Sequence, residues 1–337
     1  MQMPYIRIIL GALLALLAVV LTACGGVDEA SGSDEGGETK LSLVAYSTPR
    51  EAYDEIIPAF QQLAQGKGVS FDQSYGSSGE QSRAVEAGLP ADVVEFSLAP
   101  DMDRLVDAGL VADDWADNEY MGMVTDSVVV LAVRKGNPKN IQTWDDLLRD
   151  DVEVMTPNPF TSGGARWNVM AAYGAQLEQG KSEDEAVEFL KQLFTHVPVQ
   201  DKSARESLQT FSGGKGDVLL AYENEAIFAQ QSGEELDYVV PDQTILIENP
   251  VAVTTEAPPQ AHAFVDFLLT PQAQKLFGEK GYRPVVKGVL AEFDFPTPPN
   301  LFTIDDLGGW DAVSDEFFDR EEGIMAEIEQ DLGVPTD

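Results

Sequence analysis

The chain of 337 residues alternates short apolar runs with stretches of helical spacing from residue 41 onward. The Val-rich run at 128–134 has the strongest strand pattern. Short apolar stretches lie at 41–46 and 245–253. Further strands are predicted at 69–75, 93–98, 152–156, 197–200, 218–222 and 238–240, and helices at 49–65, 80–87, 102–108, 163–179, 184–194, 204–211, 223–231, 260–269 and 272–279. This alternation predicts an α/β fold with mixed, mostly parallel sheets flanked by helices.

The segment before this pattern predicts export. Residues 6–23 are largely apolar but short for a membrane span of ~20 residues, so 1–23 is interpreted as a signal peptide. It ends in Leu-Thr-Ala-Cys-Gly at 21–25, which resembles a bacterial lipobox. Lipidated Cys24 would then be the first mature residue, and the alternative is an uncleaved anchor helix with an incidental cysteine. Residues 24–39 are rich in Gly, Ser and acids, and we expect a flexible tether there.

Charge and composition exclude several classes of protein. Asp and Glu number 58 against 21 Lys and Arg, for a net charge of −37. Nucleic-acid binding is not expected, because its affinity comes from Lys and Arg that displace counterions. One cysteine excludes a disulfide framework, and two histidines, His196 and His262, leave little room for a metal centre. High charge favours a soluble monomer. Neither metal nor cofactor is expected.

Four strand-to-helix turns place a hydroxyl residue where a helix N-cap belongs. Thr48, Ser78 and Ser203 each begin a capping-box sequence, while Ser162 precedes two glycines that let a ligand approach the backbone. A helix N-terminus has unpaired N–H groups and a partial positive charge, which together suit an anion. Capped helices are common, however, so these turns are also consistent with helices that bind nothing.

The motifs around these turns are long and specific. They are Tyr-Ser-Thr-Pro-Arg-Glu at 46–51, Gln-Ser-Tyr-Gly-Ser-Ser-Gly at 73–79, Val-Arg-Lys-Gly-Asn-Pro at 133–138, Thr-Pro-Asn-Pro at 156–159, Ser-Gly-Gly-Ala-Arg-Trp-Asn at 162–168, Gly-Asp-Val-Leu-Leu-Ala-Tyr-Glu-Asn-Glu at 216–225, Gly-Tyr-Arg-Pro at 281–284 and Leu-Phe-Thr-Ile-Asp at 301–305. In these motifs the chain closely resembles the sulfate-binding receptors of bacterial ABC importers. The resemblance runs from about residue 41 to past Trp310.

This resemblance implies a two-lobed, type II periplasmic-binding-protein fold with the ligand in the cleft between the lobes. Residues 40–128 are expected to form the first part of lobe 1, and 129–246 to form lobe 2. Residues 247–337 are expected to return to lobe 1 and to end in an acidic helical tail at the solvated periphery. The implied function is to bind inorganic sulfate outside the cytoplasm, in the periplasm or on the outer face of the cytoplasmic membrane. The implied partners are the permease subunits of an ABC importer and their ATPase, with the membrane reached through lipid on Cys24.

The resemblance also implies a site that holds dehydrated sulfate with backbone N–H groups, serine hydroxyls and one ring N–H. Carried over by motif, its residues are Ser47, Ser78, Ser162, Gly163, Gly164, Ala204 and Tyr222. Two positions depart from the family: Tyr222 stands where the family has tryptophan, and Ser47 where many relatives have aspartate. The anion class is unchanged, but thiosulfate becomes the nearest competing ligand, with molybdate and phosphate as further alternatives.

Two arginines follow donor loops, and two other classes of protein compete with a receptor. Arg166 and Arg205 would form a second shell that orients those loops, or would pair with acids on helix faces.

The chain lacks a Gly-x-Ser-x-Gly elbow and a His-Glu-x-x-His pair, and residues 213–216 lack the spacing of a P-loop. We therefore expect no enzyme. The remote alternatives are a sulfoester hydrolase with Ser78 as nucleophile and an adhesive lipoprotein.

Overall fold

The computed structural model describes Thr39–Val334 and Thr336. The predicted signal peptide, Cys24 and the tether up to residue 38 lie outside the described residues. The strands are β1 (Thr39–Tyr46), β2 (Val69–Gly76), β3 (Val93–Glu95), β4 (Met123–Arg134), β5 (Val154–Met155), β6 (Val218–Tyr222), β7 (Leu236–Val239), β8 (Gln243–Val253), β9 (Arg283–Pro284) and β10 (Asn300–Phe302).

Helices follow most of the strands, as predicted. They are α1 (Arg50–Gln61), α2 (Ser78–Glu86), α3 (Ala99–Asp107), α4 (Gly163–Glu178), α5 (Glu183–Thr195), α6 (Ala204–Ser212), α7 (Glu223–Gln231), α8 (Pro259–Leu268), α9 (Pro271–Glu279), α10 (Lys287–Leu290), α11 (Gly309–Phe318) and α12 (Ile324–Leu332). The predicted strand at 197–200 is wrong, since this segment is an irregular connection in which Val199 is exposed.

The strands form a mixed sheet in the order β2-β1-β3-β8-β4-β6-β5. Strand β10 also pairs with β8, and β7 and β9 pair with β4. Strand β1 is parallel to both β2 and β3, and β5 is parallel to β6. Every antiparallel pair among the described strands involves β4 or β8. The mixed sheet is confirmed, with a larger antiparallel share than expected because these two long strands each pair with several others.

Strands β4 and β8 carry both of the predicted lobe boundaries. They pair with each other in antiparallel register from Met123 opposite Pro250 to Val128 opposite Leu246. Val128 ends the predicted first segment, and Leu246 ends the predicted second segment. The two positions at which the chain is expected to pass between lobes are therefore direct neighbours on one rung of this ladder.

Two large apolar clusters each combine residues from distant parts of the chain. One joins β1 and α1 to α8 and α9, where the Phe60 and Phe264 rings lie 5.1 Å apart. The other joins α4 and α5 to the C-terminal helices, where Tyr173 lies 4.8 Å from Phe317. The acidic tail is helical as predicted. The tail was also expected to lie at the solvated periphery. It does so only in part, because α11 and α12 each bury an apolar face.

None of the helices in residues 39–334 combines the length and the apolar content that crossing a membrane requires.

Candidate ligand-binding site

Three serines follow three adjacent parallel strands. Ser47 comes directly after β1, Ser78 shortly after β2 and Ser97 shortly after β3. Because β1 pairs in parallel with both neighbours, the carboxyl ends of all three strands meet at one edge of the sheet. Ser78 Oγ accepts a hydrogen bond from the Ser97 backbone N–H at 3.0 Å, so two of these turns are in direct contact.

The Ser78 turn differs from its prediction as a capping box. Helix α2 begins at Ser78 itself, and Ser77 occupies the N-cap position. The Ser78 hydroxyl donates to Asp101 Oδ2 at 2.6 Å, and its side chain is buried. The hydroxyl hydrogen therefore has an acceptor within the protein, while the Ser78 backbone N–H stays in the open first turn of the helix.

The predicted cap at Thr48 is also wrong. Helix α1 begins at Arg50, and Pro49 occupies the N-cap position with no side-chain cap. The Pro49 carbonyl itself accepts from the backbone N–H groups of Ala52 and Tyr53, each at 3.0 Å. The Thr48 hydroxyl instead shares a hydrogen bond of 2.8 Å with the Tyr282 phenol.

The caps predicted at Ser162 and Ser203 are confirmed. Ser162 Oγ accepts from the Ala165 N–H at 3.4 Å, and Ser203 Oγ accepts from the Glu206 N–H at 3.2 Å. Accepting these bonds leaves each hydroxyl hydrogen free for another acceptor. Helix α4 therefore starts at Gly163 and helix α6 at Ala204, both among the predicted site residues.

The N-termini of α4 and α6 meet at Gly164. A Cβ placed on Gly164 would lie 3.4 Å from Ala204 Cβ, 3.5 Å from Ser162 Oγ and 3.5 Å from Tyr222 Cε1. The start of α2 approaches the same turn, since a Cβ on Gly79 would lie 3.3 Å from the carbonyl oxygen before Ser162. The structure thus brings three helix N-termini together around glycines, in a place lined by neutral N–H donors.

Tyr222 lies at the end of β6 and is 1% exposed. Its phenol is 2.6 Å from the Ser97 hydroxyl, and its ring centroid is 6.5 Å from that of Tyr46, which precedes Ser47. Burial raises the pKa of Tyr222 far above its usual value. The phenol is therefore neutral at physiological pH and can act as a hydrogen-bond donor.

Ser97 is not among the site residues predicted from the sequence. Its backbone carbonyl accepts from Trp167 Nε1 at 2.7 Å and from Asn249 Nδ2 at 3.1 Å, and the residue is 1% exposed. A signal existed, because Ser97 follows a strand just as Ser47 and Ser78 do. This signal could not be recognised from the sequence, because the sequence does not show that β3 lies beside β1 in the sheet.

Arg205 links the Ser47 turn to two acids. Its guanidinium binds Glu51 at 2.6 and 2.9 Å and Glu225 at 3.0 and 3.3 Å, and it donates to the Thr48 carbonyl at 3.2 Å. Burial opposes ionisation of Glu51, but the hydrogen bonds and charge of Arg205 lower its pKa below the usual value. Arg205 thus pairs with helix acids and also fixes the loop beside Ser47.

Arg166 holds the loop that leads to Ser162. Its Nε donates to the Pro159 carbonyl at 3.0 Å, and its guanidinium lies over the Phe318 ring at 4.9 Å. Trp167, the next residue, is fully buried. In the part of the chain from Thr39 to Val334, no group of three or more His, Cys, Asp or Glu side chains is arranged to hold a metal ion.

Comparison with known proteins assigns the chain to a family. Residues 41–283 match the model of the bacterial extracellular solute-binding proteins. A sulfate-binding protein of Synechococcus elongatus is 42% identical over 320 residues, which cover 91% of each chain. A thiosulfate-binding protein of Pseudomonas aeruginosa is 36% identical over 294 residues, which cover 82% of this chain and 89% of that protein. The solved structure of the sulfate-binding protein SubI from Mycobacterium tuberculosis is 46% identical, with a TM-score of 0.81, and covers 83% of this chain and 100% of that one.

The chain therefore belongs to the bacterial extracellular solute-binding proteins. The predicted two-lobed α/β fold of the type II periplasmic binding proteins is confirmed by these structural neighbours. The family consists of solute-binding receptors, so the chain is a receptor rather than an enzyme, and it works outside the cytoplasm.

Glu95 is a buried carboxyl beside this site. It ends β3, two residues before Ser97, and is fully buried between Ala45 and Val251 of the neighbouring strands. Burial raises its pKa to about 8, and a hydrogen bond from the Tyr53 phenol lowers it in part. At neutral pH the native state therefore holds a proton that an unfolded chain would release.

We expect replacement of Glu95 to change how stability depends on pH. Because the folded pKa of about 8 lies above the ordinary glutamate value, the folded state binds the extra proton between these values, and stability falls as pH rises through this window. The free energy of unfolding falls by at most ~1.4 kcal/mol per pH unit from this group. Glu95→Gln should remove this slope in urea unfolding at pH 5, 6, 7 and 8, whereas the exposed control Glu234→Gln should keep it. Parallel profiles for wild type and Glu95→Gln would contradict the assignment.

Proposed function

We propose that this receptor binds inorganic sulfate and delivers it to the permease subunits and ATPase of an ABC importer. The observation that carries the proposal is the meeting of the N-termini of α4 and α6 at Gly164, with the start of α2 against the turn that leads to Ser162. A dianion without its water shell needs many donors, and helix N-termini supply N–H groups with a favourable dipole. The name of the S. elongatus relative, a sulfate-binding protein, agrees with this ligand.

The proposed ligand contacts are divided between backbone and side chains. Backbone N–H groups would come from the first turns of the three helices and from the Ser47 turn, and hydroxyls from Ser162 and Tyr222. The proposed residues are Ser47, Ser78, Ser162, Gly163, Gly164, Ala204 and Tyr222. Ser78 is assigned its backbone N–H, because its hydroxyl hydrogen goes to Asp101. Arg166 and Arg205 are proposed to position the loops, since their guanidinium groups bind carbonyls and acids of the protein.

Neutral donors favour sulfate over phosphate. Sulfate is fully ionised at neutral pH, so each of its oxygens accepts hydrogen bonds only. Hydrogenphosphate carries an O–H that needs an acceptor, and leaving a buried polar group unpaired costs ~1–3 kcal/mol. This corresponds to roughly tenfold to more than a hundredfold weaker binding of phosphate.

Thiosulfate is the second candidate ligand. The P. aeruginosa relative at 36% identity is named a thiosulfate-binding protein. A tyrosine at position 222 also alters the donor that faces the anion, because a phenol differs from an indole in reach and angle. A competition assay with both anions decides which is preferred.

Calorimetry of the full chain, purified in mild detergent and dialysed free of anion, tests the function. Sulfate should bind without turnover, ahead of phosphate and molybdate. Ser162→Asp should keep the helix cap but place a carboxylate against the dianion. At ~4 Å and an effective dielectric of ~20, two unit charges repel by about 4 kcal/mol, and half of this costs more than tenfold in affinity.

The matched control for Ser162→Asp is Ser182→Asp, which changes the exposed cap of α5 away from the site. The control should bind sulfate as wild type does. If Ser162→Asp folds normally and binds sulfate within about threefold of wild type, Ser162 is only a helix cap and the site is misplaced.

We propose lobe 1 as 40–128 with a return segment from residue 247, and lobe 2 as 129–246. The C-terminal helices α11 and α12, which the sequence assigned to the 247–337 segment of lobe 1, pack on α4 and α5 of lobe 2. The proposed contacts then come from both lobes, Ser47 and Ser78 from one and Ser162 to Tyr222 from the other. A ligand that bridges two lobes binds the closed form better and shifts the population toward it. Small-angle scattering should give a smaller radius of gyration at saturating sulfate. Superimposable curves with and without bound sulfate would rule out closure by a hinge.

We also propose that the chain is a monomeric lipoprotein anchored through Cys24, which lies outside the described residues. The lone cysteine directly after an apolar export segment motivates this assignment. Cys24→Ala should abolish labelling with a radioactive fatty acid and move the protein to the soluble fraction, while sulfate binding is retained. Membrane attachment that survives this substitution would show that another segment provides the anchor.

A further inference from the structure

The hydroxyl pair of Ser97 and Tyr222 has one hydrogen too many for its protein partners. The two oxygens lie 2.6 Å apart, and each residue is 1% exposed. Two hydroxyls carry two hydrogens, of which their mutual bond uses one. Among the described residues, Ser97 Oγ has no hydrogen-bond partner other than this phenol.

The donor in this pair is assigned by acidity. A phenol is a stronger acid than an alkyl hydroxyl and is therefore the better donor. Tyr222 then donates to Ser97, and the hydrogen left without an acceptor belongs to Ser97. A buried donor without a partner is costly, so this hydrogen calls for an acceptor, which a bound anion can supply.

The position of Ser97 points to the same ligand. A Cβ on Gly163 would lie only 2.6 Å from Ser97 Oγ, so this oxygen lies directly against the first helical residue of α4. Only a glycine leaves room for both groups. The Ser97 backbone is fixed on both sides, because its N–H donates to Ser78 at 3.0 Å and its carbonyl accepts from Trp167 at 2.7 Å.

We infer that Ser97 is a further ligand-binding residue, which donates its hydroxyl hydrogen to the bound tetrahedral oxyanion while accepting from Tyr222. The inference rests on the proposed function and revises the role of Tyr222, which acts through Ser97 as a positioning and polarising residue. Accepting a hydrogen bond strengthens the donor at the other end of such a chain. In the chain Tyr222–Ser97–anion, the two side chains together therefore donate a single hydrogen bond to the anion.

The test is a double-mutant cycle on sulfate affinity, measured by calorimetry on the full chain. Ser97→Ala should weaken sulfate binding by roughly tenfold to a hundredfold, since it removes a hydrogen bond to a charged group. Tyr222→Phe should weaken it less, because Ser97 remains. The double variant should bind within about threefold of Ser97→Ala alone, since the pair supplies one hydrogen together.

Two control variants separate this role from a general loss of packing. Thr254→Val removes a buried hydroxyl bond to the Ala91 carbonyl, which lies near the opposite end of β3. Tyr53→Phe removes a buried phenol bond to Glu95. Both should lower the melting temperature of the anion-free protein and leave sulfate affinity within about threefold.

The outcomes separate this inference from the function on which it rests. Sulfate binding by Ser97→Ala within threefold of wild type overturns the inference alone. Losses that multiply in the double variant also overturn it, because the two hydroxyls would then be independent donors. If Ser97→Ala does not fold, Tyr222→Phe decides, and an affinity unchanged from wild type overturns the inference. No sulfate binding by the wild type overturns the proposed function together with the inference.

Discussion

The first turn of an α-helix has N–H groups with no partner inside the helix, and this constraint organises the site. Two such turns, at the starts of α4 and α6, meet at Gly164, and the start of α2 lies against the turn that leads to Ser162. Ser78, Ser162, Gly163 and Gly164, at or beside these helix starts, are buried. An acceptor with several equivalent oxygens, as proposed, would satisfy these N–H groups. At Gly163 a Cβ would lie only 2.6 Å from Ser97 Oγ, so only glycine fits at this position.

Two arginines, Arg166 and Arg205, contact the loops that lead into α4 and α1. Arg205 is held by Glu51 and Glu225 while it donates to the Thr48 carbonyl, and Arg166 donates to the Pro159 carbonyl. A hydrogen bond from a guanidinium group to a loop carbonyl restricts the conformation of that loop. In a chain with a net charge of −37, these scarce cations fix loops rather than attract an anion from solution.

Local sequence patterns predicted the elements well, because apolar spacing and caps are local properties. Helix α7 begins and ends where its spacing predicts, and Ser162 and Ser203 cap their helices. The wrong predictions concern two helix starts, at which a residue next to the predicted one takes the N-cap position. Pro49 takes the N-cap position expected for Thr48, and Ser77 takes that expected for Ser78. Ser97 was missed for a different reason, since its importance follows from strand order and from the approach of α4, which are contacts between distant parts of the chain.

The rung that joins Val128 to Leu246 has a mechanical consequence. In the proposed two-lobed arrangement, both crossings of the chain lie at the same height and share backbone hydrogen bonds. A change of φ and ψ in one strand must then be matched in the other, or the rung breaks. Sliding of one strand past the other would break these hydrogen bonds, whereas bending or twisting of the pair as a unit would keep them. In the proposed arrangement, closure of the lobes on a ligand would therefore also change the spacing of surface groups on the two lobes that lie far from the ligand.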